Sequence, residues 1–212
     1  MVSVDLPQPW TNEPADQIAE KLLAARADLT LAVLPVCDDV TRETPSASWF
    51  DWRQFEVARL LGASPAIVEA GPAVKEPAAN LESFCNTIAP QLAACRTPID
   101  DTMRQRWART YRRVDRLVAQ CRAADLTVAV VLVPGEFQVN GQLRDTLARR
   151  SGYSNQQLDV DLPQRKFAGY AADRQLPLID LLPSLRLCPE SPYERHTEAF
   201  NEHGHEAAAE VV

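Results

Sequence analysis

No uninterrupted apolar run in this chain of 212 residues approaches the ~18 residues that a membrane-spanning helix needs. The amino terminus, MVSVDLPQPW, also lacks the basic and apolar regions of a secretory signal. Positive charge is short as well. The formal net charge is −7, so there is no general basic surface to neutralise phosphates, and a nucleic-acid partner is not expected. The five cysteines (Cys37, Cys85, Cys95, Cys121 and Cys188) show no CxxC spacing. An odd, scattered set suits buried thiols in a reducing compartment better than a zinc site or a disulfide framework, with a Cys85–Cys95 bridge as the alternative. A cytoplasmic location is expected for the chain as it stands, with no cofactor and no metal.

What is present fits one domain spanning 1–212. Hydrophobic residues make up 46% and charged residues 24%, the ordinary balance of a globular protein with one continuous core. No internal repeat or low-complexity tract appears. The one basic concentration is Arg104, Arg106, Arg109, Arg112, Arg113 and Arg116. It reads as a solvated helix face balanced by Asp100, Asp101 and Asp115.

The organising stretch is Thr127 to Asn140, TVAVVLVPGEFQVN. Its apolar run does not alternate, which predicts a strand buried on both faces, as in a parallel sheet covered by helices. Pro134-Gly135 ends the strand and turns the backbone. Glu136, Phe137 and Gln138 then arrive at the carboxyl edge of the sheet, where open α/β folds place their ligands.

Taken in order, Pro14 to Ala27 predicts a first helix and Leu29 to Val36 a first strand, which delivers Asp38 and Asp39 to its carboxyl end. A proline- and aromatic-rich insertion follows at about 41–98, read as short helices packed against the rest. Its cluster of Trp49, Phe50, Trp52 and Phe55 argues against disorder. Asp100 to Ala123 is the strongest helix, with Met103, Trp107, Tyr111, Val114, Val118 and Cys121 at helical spacing. After the organising strand come a short helix near Gln142–Arg149, a helix capped by Asp161 with Phe167, Tyr170 and Ala171 inward, a third strand over Leu176–Leu182, and a last helix capped by Asn201. Alternation of this kind means a parallel α/β sheet wrapped on both faces.

Four stretches, ADLTLAVLPVCDDVT, FDWRQFEVARLLG, LTVAVVLVPGEFQVNGQL with its downstream LPLIDLLPSLR, and YERHTEAFNEHGHEAAA, together resemble SGNH/GDSL hydrolases in order and spacing. The likeness runs over nearly the whole chain. It implies a flavodoxin-like three-layer α/β/α sandwich. It also implies hydrolysis of acyl esters by a serine nucleophile, activated by a histidine and assisted by oxyanion donors. Carried over residue by residue, the pattern is incomplete. The chain holds no Gly-Asp-Ser nucleophile block. The oxyanion asparagine position is occupied by Asp38, whose carboxylate would repel a developing oxyanion. Asn201-Glu202-His203-Gly204 matches the family's Asn-x-x-Gly, but the histidine position two before the asparagine is Ala199.

His196, paired with Glu194 one helical turn earlier than the pattern requires, is the candidate catalytic histidine; the competing reading is a surface histidine in a polar loop. Asp38, Asp39, Glu136 and Asn201 are the candidate pocket-lining residues, with the two aspartates alternatively capping the next turn. His203-x-His205 could be half a metal site, but on a helix the two side chains diverge and no third ligand is apparent. Three functions follow as alternatives: a hydrolase of weak or lost activity, a module binding a small ester or carbohydrate-type ligand, and an interaction scaffold using Trp49–Phe55. A nucleophile strand missing from the start would leave unpaired backbone at the sheet, from which reduced stability and self-association are expected.

Overall fold

The computed structural model describes residues 29–41, 80–123 and 127–212. The predicted first helix at Pro14–Ala27 and the aromatic cluster Trp49–Phe55 lie outside the described residues. Strand β1 (Leu29–Pro35) runs directly into the short helix α1 (Val36–Thr41). Helix α2 (Leu81–Ile88) continues into a 3-10 turn over Ala89–Cys95, and the long helix α3 (Asp101–Ala123) leads to β2 (Thr127–Val133). Beyond it come α4 (Glu136–Val139), α5 (Gly141–Ser151), α6 (Leu162–Asp173), β3 (Leu178–Asp180), α7 (Leu182–Leu187) and α8 (Glu202–Ala209).

The three strands form one parallel sheet in the order β1-β2-β3. Leu29 lies opposite Thr127 and Pro35 opposite Val133, so β1 and β2 are paired along their whole length; β3 adds Leu178 to Asp180 against Val130 to Leu132. This is a mixed helix-and-strand architecture with a parallel sheet, as the unalternated valine run predicts. From Val128 to Val133 every residue of β2 is buried. Alternate side chains serve two cores, because successive residues of a strand point to opposite faces. Val128, Val130 and Leu132 join Trp107, Val114, Leu117, Phe167 and Tyr170 from α3 and α6. Val131 and Val133 join Leu181, Leu185, Tyr193, Phe200 and Ala208.

Helix α3 follows its periodicity. Met103, Trp107, Val114, Val118 and Cys121 are buried and Tyr111 packs against the core, while Asp100 caps the helix through a 2.8 Å bond from the Met103 amide. Its link to α6 is aromatic and ionic. Tyr111 and Tyr170 stack at 4.3 Å, the Tyr170 hydroxyl donates to Asp115 at 2.8 Å, and Arg174 covers the Tyr170 ring while pairing with Asp115.

Two expectations need correction. The third strand does not run over Leu176–Leu182. Only Leu178–Asp180 pairs as strand, and Leu182 opens α7. Asp180 is the cause: its carboxylate accepts the Leu182 amide at 3.0 Å and turns the chain, and Pro183 fits a first helical turn. The Asp161 side chain does not cap α6. Its carboxylate is taken by Arg186 of α7 at 2.6 Å, an attraction stronger than that of a neutral amide. All five cysteines are free thiols, so Cys85 and Cys95 are not bridged.

Candidate functional site

The carboxyl end of β2 is closed by a buried polar layer. Pro134 and Gly135 lead into α4, and Gly135 is required there by close packing. A Cβ on it would lie 2.8 Å from Phe137 Cε1 and 3.2 Å from Gln91 Oε1. Gln138, 1% exposed, is the hub of the layer. Its Oε1 accepts the Gly135 amide at 3.0 Å and the Cys37 thiol at 3.2 Å. Its Nε2 donates to the Val160 carbonyl at 2.6 Å and to Gln164 Oε1 at 2.7 Å. Arg186 closes the outer side, donating to the Gln138 carbonyl at 3.0 Å. Gln138 therefore carries the α1, α4, α6 and α7 contacts of this edge, and its amide has no capacity left for a ligand.

Glu136 differs from its neighbour. It is 8% exposed; Oε1 accepts a long 3.3 Å bond from Asn140, and Oε2 is buried without a hydrogen-bond partner. Burial pushes its carboxyl above the ordinary glutamate range, only partly opposed by Asn140. Close by, the Tyr193 hydroxyl donates to the Pro134 carbonyl at 2.8 Å. Burial, then the charges of Glu198 and Glu136, hold the Tyr193 phenol far above its usual value, so it stays neutral. Glu198 accepts from Gln91 Nε2 at 2.9 Å.

The other predicted residues are placed as follows. Asp38 and Asp39 belong to α1, immediately beyond β1, but their side chains lie outside the described residues. His196 occupies a turn with φ of 62° and sets its ring 5.7 Å from that of Phe84. Among the described residues no serine hydroxyl is hydrogen-bonded to it. Asn201 is held by structure at both ends of its amide. Oδ1 caps α8 through the Gly204 amide at 3.1 Å, and Nδ2 donates to the Ser191 carbonyl at 2.6 Å. His203 lies 3.3 Å from Glu190 and 3.9 Å from Glu206. The Asn-x-x-Gly block acquires a physical reason, since a Cβ at Gly204 would lie 2.1 Å from the Pro192 carbonyl oxygen.

Cys37, Gln91, Tyr193 and Glu198 were not selected from the sequence. Cys37 directly precedes Asp38 and Asp39, whose carboxylates are the stronger chemical signal in that block. Burial first, then the nearby Cys95 thiol, raises the Cys37 thiol well above its usual value, so it is a hydrogen-bond donor and not a nucleophile. Chemically, the described edge offers a buried carboxyl whose proton is held more tightly than usual, a neutral phenol and a neutral thiol, the last two already bonded. Comparison of the chain with protein-family models, with curated proteins and with solved structures gave no match. Among the described residues no helix is long and apolar enough to cross a membrane.

Proposed function

We propose that this chain is an SGNH/GDSL-hydrolase-like domain, flavodoxin-like and three-layered, that binds a small ester or carbohydrate-type molecule at the carboxyl edge of its sheet. Acyl-ester hydrolysis on it is weak or absent. The fold half of the reading is supported by a parallel sheet whose central strand feeds separate cores on its two faces. The functional half is carried by His196, whose ring lies tilted 5.7 Å from that of Phe84 without a serine hydroxyl bonded to it among the described residues. A histidine acts as general base only within hydrogen-bond reach of the proton it removes. Cys37 offers no substitute nucleophile, because its raised thiol remains protonated near neutral pH.

The test is turnover of p-nitrophenyl acetate by the purified chain beside His196→Ala. The proposal expects both proteins to match the buffer rate within a small factor. Turnover well above buffer that falls in the variant would mean a working site built around His196, and the non-catalytic reading would be withdrawn.

A further inference from the structure

The arginine row of α3 is not balanced by the acids that lie near it in sequence. Asp100 caps the helix at the Met103 amide and faces Arg96 at 3.6 Å, and Asp101 pairs with Arg104. Asp115 is taken by Arg174 and by the Tyr170 hydroxyl of α6. At ~3.6 residues per turn, Arg109, Arg112 and Arg116 share the crest opposite the buried row of Met103, Thr110, Val114 and Cys121. From Gln105 to Ala119 that crest holds no acid. Arg112 and Arg116 are exposed and have no acid partner among the described residues. Like charges three and four residues apart weaken their own helix, so the row adds nothing to folding. Its chemistry is also uniform. Helix α3 carries seven arginines and no lysine, and a guanidinium fork matches a carboxylate in a way that an ammonium does not.

We propose that the crest of Arg109, Arg112 and Arg116 is a docking surface for a short acidic segment of another protein, whose carboxylates it pairs. The inference is independent of the carboxyl-edge reading, because it uses the outer face of α3. Length and charge decide the partner. The crest from Arg109 to Arg116 is ~10 Å long at ~1.5 Å per residue, the span of a few side chains. Arg112 and Arg116 stand one turn apart, which is the spacing of neighbouring glutamates on an acidic helix. A DNA duplex or an anionic bilayer would extend beyond the crest over a chain of net charge −7 and be repelled there. A bilayer also takes up apolar side chains, and the crest offers only Ala108 and Ala119 beside its polar groups.

The experiment measures binding of a labelled oligoglutamate peptide by fluorescence anisotropy, with a short DNA duplex and phosphatidylserine vesicles as comparators. Wild type should bind the peptide and weaken as salt rises from about 50 mM to about 200 mM. Arg112→Gln combined with Arg116→Gln should weaken binding about tenfold, the sum of two exposed ion pairs. Arg104→Gln combined with Arg122→Gln removes the same charge from a row outside the crest, and should stay within about twofold of wild type. Thermal melts of the crest pair should match or exceed wild type, because like-charge repulsion is relieved. A lowered melt would show that the row serves the fold and would overturn the docking role. Equal weakening by the two pairs would mean that net charge, not this surface, binds the peptide. Tighter binding of the duplex or of the vesicles would overturn the choice of partner. No binding of oligoglutamate to wild type would sink the proposal and leave the carboxyl-edge reading untouched.

Discussion

The Cys37 thiol donates to Gln138 Oε1 at 3.2 Å across 101 residues of chain, joining the segment that follows β1 to the segment that follows β2. Both groups are almost wholly buried, and Gln138 also holds the Gly135 amide, the Val160 carbonyl and Gln164. The carboxyl edge is therefore tied by one side chain. Gln138→Ala leaves several buried groups unpaired, each at a cost of ~1–3 kcal/mol before relaxation. Urea unfolding should show a loss of about 3 kcal/mol, whereas Cys37→Ala should lose only about 1 kcal/mol because it removes a weak donor. Equal losses from the two substitutions would mean that Gln138 is not the hub.

Gly204→Ala should be among the most damaging single-methyl changes in the chain. The added Cβ would fall 2.1 Å from the Pro192 carbonyl oxygen and 2.9 Å from Phe200 Cβ, and neither neighbour is the free end of a flexible side chain. A loss above about 2 kcal/mol is expected from such a collision. A thermal melt unchanged by the substitution would show that the approach of the 191–193 segment to α8 is looser than described. Asn201→Ala, which removes the cap of the same helix, should cost about 1 kcal/mol.

Where local pattern decides structure, the sequence was readable. Six consecutive buried residues in β2 and the spacing of Met103, Trp107, Val114, Val118 and Cys121 in α3 are periodic signals, and both elements formed where expected. The third strand is shorter than its leucine-rich run predicts, because such a run has the same composition in a strand and in a first helical turn. The Asp180 carboxylate on the Leu182 amide decides between them, and that is a contact, not a period. The polar layer was largely hidden. Gln91 reaches Glu198 across 107 residues and Tyr193 reaches Pro134 across 59, and polar groups gathered by packing leave no periodic trace. The place of Glu136 is legible because strand ends in parallel sheets are predictable; its orphaned oxygen is not, since that depends on what its neighbours are already bonded to.

Asp115 should make stability acid-sensitive. The bond from Arg174 foremost, and that from Tyr170, hold its carboxyl below the ordinary aspartate range against the opposing effect of burial. A lowered folded value means that the unfolded chain binds the proton more tightly. The stabilisation is therefore present above the unfolded value and is lost as pH falls through the folded one. The pair is 41% exposed on each side, so solvent screening limits it to about 1 kcal/mol or less. Asp115→Asn should be less stable than wild type at neutral pH, and the two should converge in strong acid. A gap that persists at low pH would assign the loss to the Tyr170 hydrogen bond and not to charge.

Glu136 should act in the opposite sense. Its carboxyl is raised by burial, so the folded chain holds the proton more tightly than the unfolded chain. Stability from this group is then greatest below the unfolded glutamate value and declines as pH rises from that value to the folded one, levelling off above it. Other groups titrate over the same range, among them Asp180, which burial also raises. Wild type alone would therefore give a composite slope. The difference between wild type and Glu136→Gln isolates the term, because the two chains share every other group and the amide cannot ionise. Urea unfolding of both proteins at intervals from about pH 4 to about pH 8 should show the variant gaining on wild type as pH rises. A difference that stays flat would mean that Glu136 ionises as readily in the fold as in the unfolded chain. The buried Oε2 would then have to be charged and solvated in the fold.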